Sequence, residues 1–173
     1  ARHYGATPQL ITVSATIGNP REHAEMLTGE PFTLVDDDSA PKGPQEFIFW
    51  RPPNIDVEGR MRRSANSEAA LLAARFVQAG IRSLFFCNSR RSAELVRRYA
   101  EKHLPGDLAS RVQSYRAGYT AEDRRILETG IKDGDITVLT TTSALELGID
   151  IGGMDAVVLV GYPGSKMALW QRA

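Results

Sequence analysis

Residues 140–153 read TTTSALELGIDIGG, and the meaning of this stretch decides the fold around it. An apolar run with Ile136, Val138 and Leu139 precedes it, and an unbroken AVVLV run over residues 156–160 follows it. The spacing predicts a strand over 136–139 that stops where three hydroxyl residues begin. Thr140, Thr141 and Thr142 would then offer hydroxyl and backbone N–H groups beyond the sheet, and such concave donor arrays bind anions, phosphate above all. Glu146, Gly148 and Asp150 follow as carboxylate, hinge and carboxylate. A plain strand–loop–strand crossover with Thr and Ser capping a helical turn accounts for the same residues. The neighbouring segments decide between the two.

Working outward, apolar runs predict further strands over 9–13, 32–35, 46–50, 83–87 and 111–115, and 156–160 suits a strand buried on both faces. Helical periodicity and stop signals place helices over 67–79, closed by Gly80, over 89–103, and over 120–131, capped by Thr120 with Asp123 at N3. A last helix begins near Ser165. Asn19-Pro20-Arg21-Glu22 is a helix start, with Asn at the cap, Pro at N1 and Glu returning to the cap, and Gly29 is its stop. Residues 36–44, DDDSAPKGP, are acidic and rich in Pro and Gly, which predicts a linker and a domain boundary near residue 40.

Alternating strands and helices predict an α/β fold, a parallel sheet with helices on both faces. Ligands of such sheets bind outside the carboxyl ends of the strands. The residues that follow the strands are SAT at 14–16, NSRR at 88–91, RAGY at 116–119, the threonines 140–142, and YPG at 162–164. Hydroxyl, guanidinium and glycine residues thus collect on one edge.

The totals narrow the function classes. With 173 residues the chain can bury one good core. Lys plus Arg equals Asp plus Glu at 21 each, so a nucleic-acid site has to be local rather than a chain-wide basic field. Cys87, the single cysteine, lies in an apolar run and reads as core packing, not as a disulfide or metal ligand. No apolar run reaches membrane-spanning length and no signal peptide opens the chain, so the expectation is a cytoplasmic domain without membrane contact, nucleoid-associated if bacterial.

Taken in order, these segments resemble the motifs of superfamily-two helicases. SATIGNP resembles motif III, FFCNSRRSAE motif IV, SYRAGYTAEDRR the nucleic-acid motif after it, and TTTSALELGIDIGG motif V. GYPGSKMALWQRA is similar to the run into motif VI. The resemblance is nearest to the RecQ/Lhr-like branch of DNA helicases related to the mitomycin-repair helicase, a DNA-repair enzyme. It implies a RecA-like second domain over residues 41–173, preceded by the tail of a first RecA-like domain and a linker over 1–40. No G-x-x-x-x-G-K-S/T loop or strand-ending Asp-Glu pair occurs here. The resemblance therefore implies part of an ATP-dependent DNA helicase, inactive as an ATP hydrolase alone, with no metal ligands of its own and Mg2+ held by the first domain.

Residue roles follow from the same resemblance. Ser14 and Thr16 would couple nucleotide state to domain closure, or, for Ser14, cap the next helix. Ser89, Arg90, Arg116, Gly118, Arg124, Thr141 and Thr142 would contact the backbone of DNA, single-stranded or duplex with a single-stranded tail. Helix capping at Ser89 and a surface pair of Arg124 with Glu128 are the alternatives. Gly148 and Asp150 would take the ATP ribose, Glu146 would position the loop, and Gln171 and Arg172 would line the cleft against the first RecA-like domain. Trp170 reads as core. Two other classes stay open: a nucleotide-binding Rossmann-like enzyme, opposed by the lack of G-x-G-x-x-G after any strand, and a non-catalytic interaction module on the same fold.

Overall fold

Strands form where aromatic and aliphatic residues run without a break and a neighbour is present to share the ladder. In the computed structural model the described residues are all except 1–4, 6–7, 15–16, 38, 42, 57, 116–117, 146–152 and 173. They divide into two units, Ala1–Ile48 and Phe49–Ala173.

The first unit holds helix α1, Pro20–Thr28. Pro20 sits at the first helical position, where a missing N–H breaks no bond. The expected reciprocal cap does not form; Asn19 Nδ2 instead donates to Glu22 Oε2 at 3.3 Å, so the two side chains satisfy each other. Gly29 closes the helix at φ 74°, its N–H bonded to the Glu25 carbonyl at 2.8 Å. The strands expected over 9–13 and 32–35 are not formed among the described residues. A lone extended segment has no ladder to join, and Val13 stays 93% exposed.

A further correction concerns residues 46–50, the last three of the first unit and the first two of the second: they form no strand, for the same reason, and Phe49 is 93% exposed. The elements of the second unit are α2 (Ala65–Ala79), β1 (Ser83–Cys87), α3 (Arg90–Lys102), α4 (Gly106–Ala109), β2 (Val112–Ser114), α5 (Ala121–Lys132), β3 (Val138–Thr141), a 3₁₀ turn (Ser143–Leu145), β4 (Ala156–Val160) and α6 (Lys166–Arg172). The four strands pair in parallel in the order β2-β3-β1-β4. The parallel sheet with helices is as expected.

Successive side chains of a strand point to opposite faces, and β1 shows it. Phe85 and Cys87 join a core with Ala69, Ala70, Ala73 and Val77 of α2 and Ala93, Val96 and Ala100 of α3. Leu84 and Phe86 join Leu139, Ile131 and Leu127 on the other face, under α5. Small residues let α2 and α3 approach closely; of the large apolar residues of α2, Val77 is buried, while Leu72 and Phe76 are partly buried against the same core.

Two strand expectations are corrected. β3 runs two residues further than predicted, because Val138 to Thr141 are the residues that pair with Ser83 to Phe86. Ile136 instead donates its N–H to the Gly130 carbonyl at 2.9 Å and seals the end of α5. β4 packs on both faces but is not buried on both: it is an edge strand among the described residues, Val158 and Leu159 are only partly buried, and Val157 is 39% exposed.

Candidate nucleic-acid and nucleotide interface

Parallel pairing brings the carboxyl ends of all four strands to one edge. Along it, in sheet order, lie Gly118 beyond β2, Thr142 beyond β3, Ser89 and Arg90 beyond β1, and the run from Gly161 to α6 beyond β4. Neighbouring strands are about 4.8 Å apart, so the first three loops span about 10 Å.

Ser89 caps α3 with extended backbone, φ −150° and ψ 156°. Its Oγ accepts from the Ser92 N–H at 3.0 Å and donates to Ser92 Oγ at 3.1 Å. The capping role is thus occupied, and Ser89 orients the helix start on which Arg90 and Arg91 stand exposed. The first turn of α3 contains no acidic residue, nor does that of α6, whereas α1, α2 and α4 each carry one and α5 carries two. Two guanidinium groups at the positive end of a helix are unfavourable by themselves and favourable beside an anion. That combination makes the α3 start the strongest anion-facing feature of the edge.

The threonines are placed differently from expectation. Thr140 and Thr141 complete β3 and are fully buried. Thr140 Oγ1 donates to the Gln113 carbonyl at 3.4 Å, and Thr141 Oγ1 to the Thr142 carbonyl at 3.2 Å. The ladder with β1 draws both inward, and Thr142 is the half-buried residue left at the strand end.

Gly118 adopts φ 105°, a conformation that disfavours side chains, and nothing stands within 4 Å of the Cβ it lacks. The space above it is open. Beside it, the buried Tyr115 ring meets Tyr119 edge-on at 6.2 Å, and the Tyr119 hydroxyl donates to the Ser114 carbonyl at 3.1 Å. Burial raises the Tyr115 pKa; the positive charge of Arg124 opposes that rise, and Glu128 adds to it. Arg124 is exposed, and no ion pair joins it to Glu128 among the described residues.

Gln171 and Arg172 are half-buried on α6, and the Arg172 guanidinium carbon lies 5.4 Å from the centroid of the Phe86 ring. Trp170 is 63% exposed, which corrects its reading as core. Ser14 is exposed in the first unit. Thr16, Arg116, Glu146, Gly148 and Asp150 lie outside the described residues. Asn88 and Gly161, which meet where β1 and β4 end, lie in the FFCNSRRSAE and GYPGSKMALWQRA stretches, but the sequence assigns neither of them a role.

Comparison with known proteins bears on this edge. Residues 67–173 match the family described as the helicase conserved C-terminal domain. The chain is 40% identical to the uncharacterized ATP-dependent helicase YprA of Bacillus subtilis (strain 168), covering 99% of this chain and 23% of that protein. It superimposes with a TM-score of 0.88 on the crystal structure of DUF1998 helicase MrfA bound to DNA and AMPPNP, at 40% identity over 99% of this chain and 24% of that one. With the Mycobacterium smegmatis helicase Lhr bound to ssDNA and AMP-PNP the TM-score is 0.68, at 28% identity over 92% of this chain and 21% of that one. The chain thus spans about a quarter of the length of the relatives it matches.

Proposed function

We propose, since the chain belongs to the family of helicase conserved C-terminal domains, that it is the second RecA-like half of the motor of an ATP-dependent DNA helicase or translocase. Residues 41–173 would form that half, and residues 1–40 the tail of the first RecA-like domain with its linker. The observation that carries the reading is the start of α3, where exposed Arg90 and Arg91 stand at the positive helix end with no first-turn carboxylate.

The division of labour follows the sheet. The ends of β2, β3 and β1 would grip the DNA backbone through Gly118, Thr142, Ser89 and Arg90, with Arg116 and Arg124 as further members; Thr141, buried in β3, would support the strand end from inside. Charge-assisted contacts to phosphate hold register without reading bases. One relative's solved complex contains DNA and another's ssDNA, which supports DNA as the partner, single-stranded or a duplex with a single-stranded tail.

The nucleotide side would consist of Gly148 and Asp150 after the threonines and of Gln171 and Arg172 on α6. An amide and a guanidinium form a donor set that fits an anionic nucleotide, and Arg172 is already held in place over Phe86. ATP bound across the cleft would draw the two RecA-like domains together, its hydrolysis would release them, and Mg2+ held by the first domain would neutralise phosphate charge. Asp150 would accept from ribose hydroxyls, since a carboxylate repels phosphate. Ser14 and Thr16 would report nucleotide state to the linker, and closure would shift the grip along the strand. No helix among the described residues is long and apolar enough to cross a membrane.

The test is a pair of titrations on the full-length protein and its Asp150→Ala and Thr142→Ala variants. Asp150→Ala should raise the apparent ATP requirement and spare nucleotide-free DNA binding, and Thr142→Ala should do the reverse. Each loss should be about 1–3 kcal/mol. Weakened DNA binding with unchanged ATP dependence in Asp150→Ala would refute this assignment.

A further inference from the structure

A pocket of about 300 Å³ lies along the first three turns of α2. Glu68, Leu71, Leu72 and Arg75 stand at i, i+3, i+4 and i+7 and form its floor, a stripe distinct from Ala70, Ala73 and Val77, which face the core. Trp50, Pro53 and Arg63, from the segment before the helix, make its rim. One carboxylate sets both sides of that rim. Glu68 Oε1 accepts from the Trp50 indole N–H at 3.1 Å and Oε2 from an Arg63 guanidinium N–H at 3.0 Å, and the Glu68 side chain is only 12% exposed. Trp50 is thereby held in place while it stays 64% exposed. The charge around the pocket is one-sided. Residues 50–75 carry five arginines against three carboxylates, in a chain whose totals balance. The other two carboxylates are engaged as well: Asp56 accepts from the Arg60 and Met61 N–H groups at 3.0 and 2.9 Å, and Glu58 pairs with Arg60 at 3.0 Å. Arg75 is exposed and has no ion pair among the described residues.

We propose that this pocket takes one base of the single-stranded DNA gripped at the start of α3, with the Trp50 ring stacked on the base and Arg63 and Arg75 facing the flanking phosphates. The inference rests on the helicase reading above and adds a base contact where the edge loops meet only the backbone. Topology puts the two features side by side. α2 leads through Gly80 into the amino end of β1, and α3 leaves from its carboxyl end; both pack with Phe85 and Cys87 in one core. Both helices therefore run from the carboxyl edge back along the sheet, and their starts are neighbours, with axes about 8–10 Å apart. A strand held by Arg90 and Arg91 reaches the α2 start within a few nucleotides. The occupant has to present a flat apolar face and negative charge close together, and a nucleotide does both. An apolar protein segment would cover the ring and the leucines but leave the arginine surplus unmatched. Stacking on an aromatic side chain tolerates any base, so the pocket suits a motor that moves along the strand.

The experiment measures binding of the full-length protein, without nucleotide, to single-stranded oligonucleotides that carry a fluorescent purine analogue at one position at a time. Its emission is quenched when it stacks on an aromatic ring. Trp50→Leu keeps apolar bulk and removes the ring; Trp50→Phe keeps a ring and loses only the N–H bonded to Glu68. Trp50→Leu should weaken binding roughly five- to 150-fold and abolish the quenching at one labelled position. Trp50→Phe should recover most of both, and Arg75→Gln should lower the salt slope of binding by about one. Parent-like affinity in Trp50→Leu, quenching at every label that survives the loss of Trp50, or an unchanged slope in Arg75→Gln would overturn the inference alone. Parent-like DNA affinity together with a lowered urea midpoint in Trp50→Leu would overturn it too, and would give the pocket to another segment of the protein. A parent protein with no affinity for single-stranded DNA would overturn the helicase reading beneath it.

Discussion

Arg90 and Arg91 occupy the end of α3 where positive charge is least welcome, and function and stability pull apart there. Arg91→Glu should stabilise the chain by about 0.3–1 kcal/mol through the helix dipole, seen as a higher urea midpoint, while weakening DNA binding. Arg90→Gln in the full-length protein should lower the salt slope of DNA binding by about one, equally for all sequences. Cys87 shows the opposite case, a residue with no site role. Burial pushes its thiol up to about 12 from 9.0. In the folded state it should resist iodoacetamide at pH 8 and react only after denaturation. The folded protein holds that proton longer than the unfolded one, so this stability contribution is complete below pH 9 and is lost between about 9 and 12. The Cys87 role was legible in the sequence from the LFFCNS run, whereas the inward turn of Thr140 and Thr141 was not. Three hydroxyl residues after an apolar run look like the end of a strand, and only the partner register of β1 shows that two of them belong to it.

At the scale of elements, the second unit was legible wherever local signals and tertiary neighbours agreed. β1 and β4 have the predicted limits, and α5 has its capping box, with Thr120 Oγ1 accepting from the Asp123 N–H at 3.1 Å. Bonds from Thr120 hold the Asp123 carboxyl below its usual range, so acid should loosen this helix start as pH falls through that lowered value. The expected strands over 9–13, 32–35 and 46–50 failed because apolar composition cannot supply a ladder partner. The buried face of α2 was legible in part. A search for large apolar residues selects Leu72, Phe76 and Val77, which do join the core, but the fully buried residues there are Ala70 and Ala73, whose small side chains give no such signal. Ala73 is fully buried, so Ala73→Leu should destabilise the chain by about 1–3 kcal/mol, measured by urea unfolding.

For the whole molecule, the order of loops on one sheet edge matters more than any single motif. The candidate grip lies on β2, β3 and β1, and the candidate nucleotide side continues from β3 and β4, with β1 touching both. On the proposed reading, this arrangement would tie ATP use to DNA binding through the shared sheet. On the same reading this chain receives rather than drives hydrolysis, with the phosphate loop expected in the first RecA-like domain. Residues 1–173 alone should show no ATP turnover above a buffer blank, with or without DNA. The most direct test of the central claim is the ATP hydrolysis rate of the full-length protein with and without single-stranded DNA. The account predicts hydrolysis that DNA stimulates, with a stimulation that declines as salt rises; the same rate in the presence and absence of DNA would contradict it.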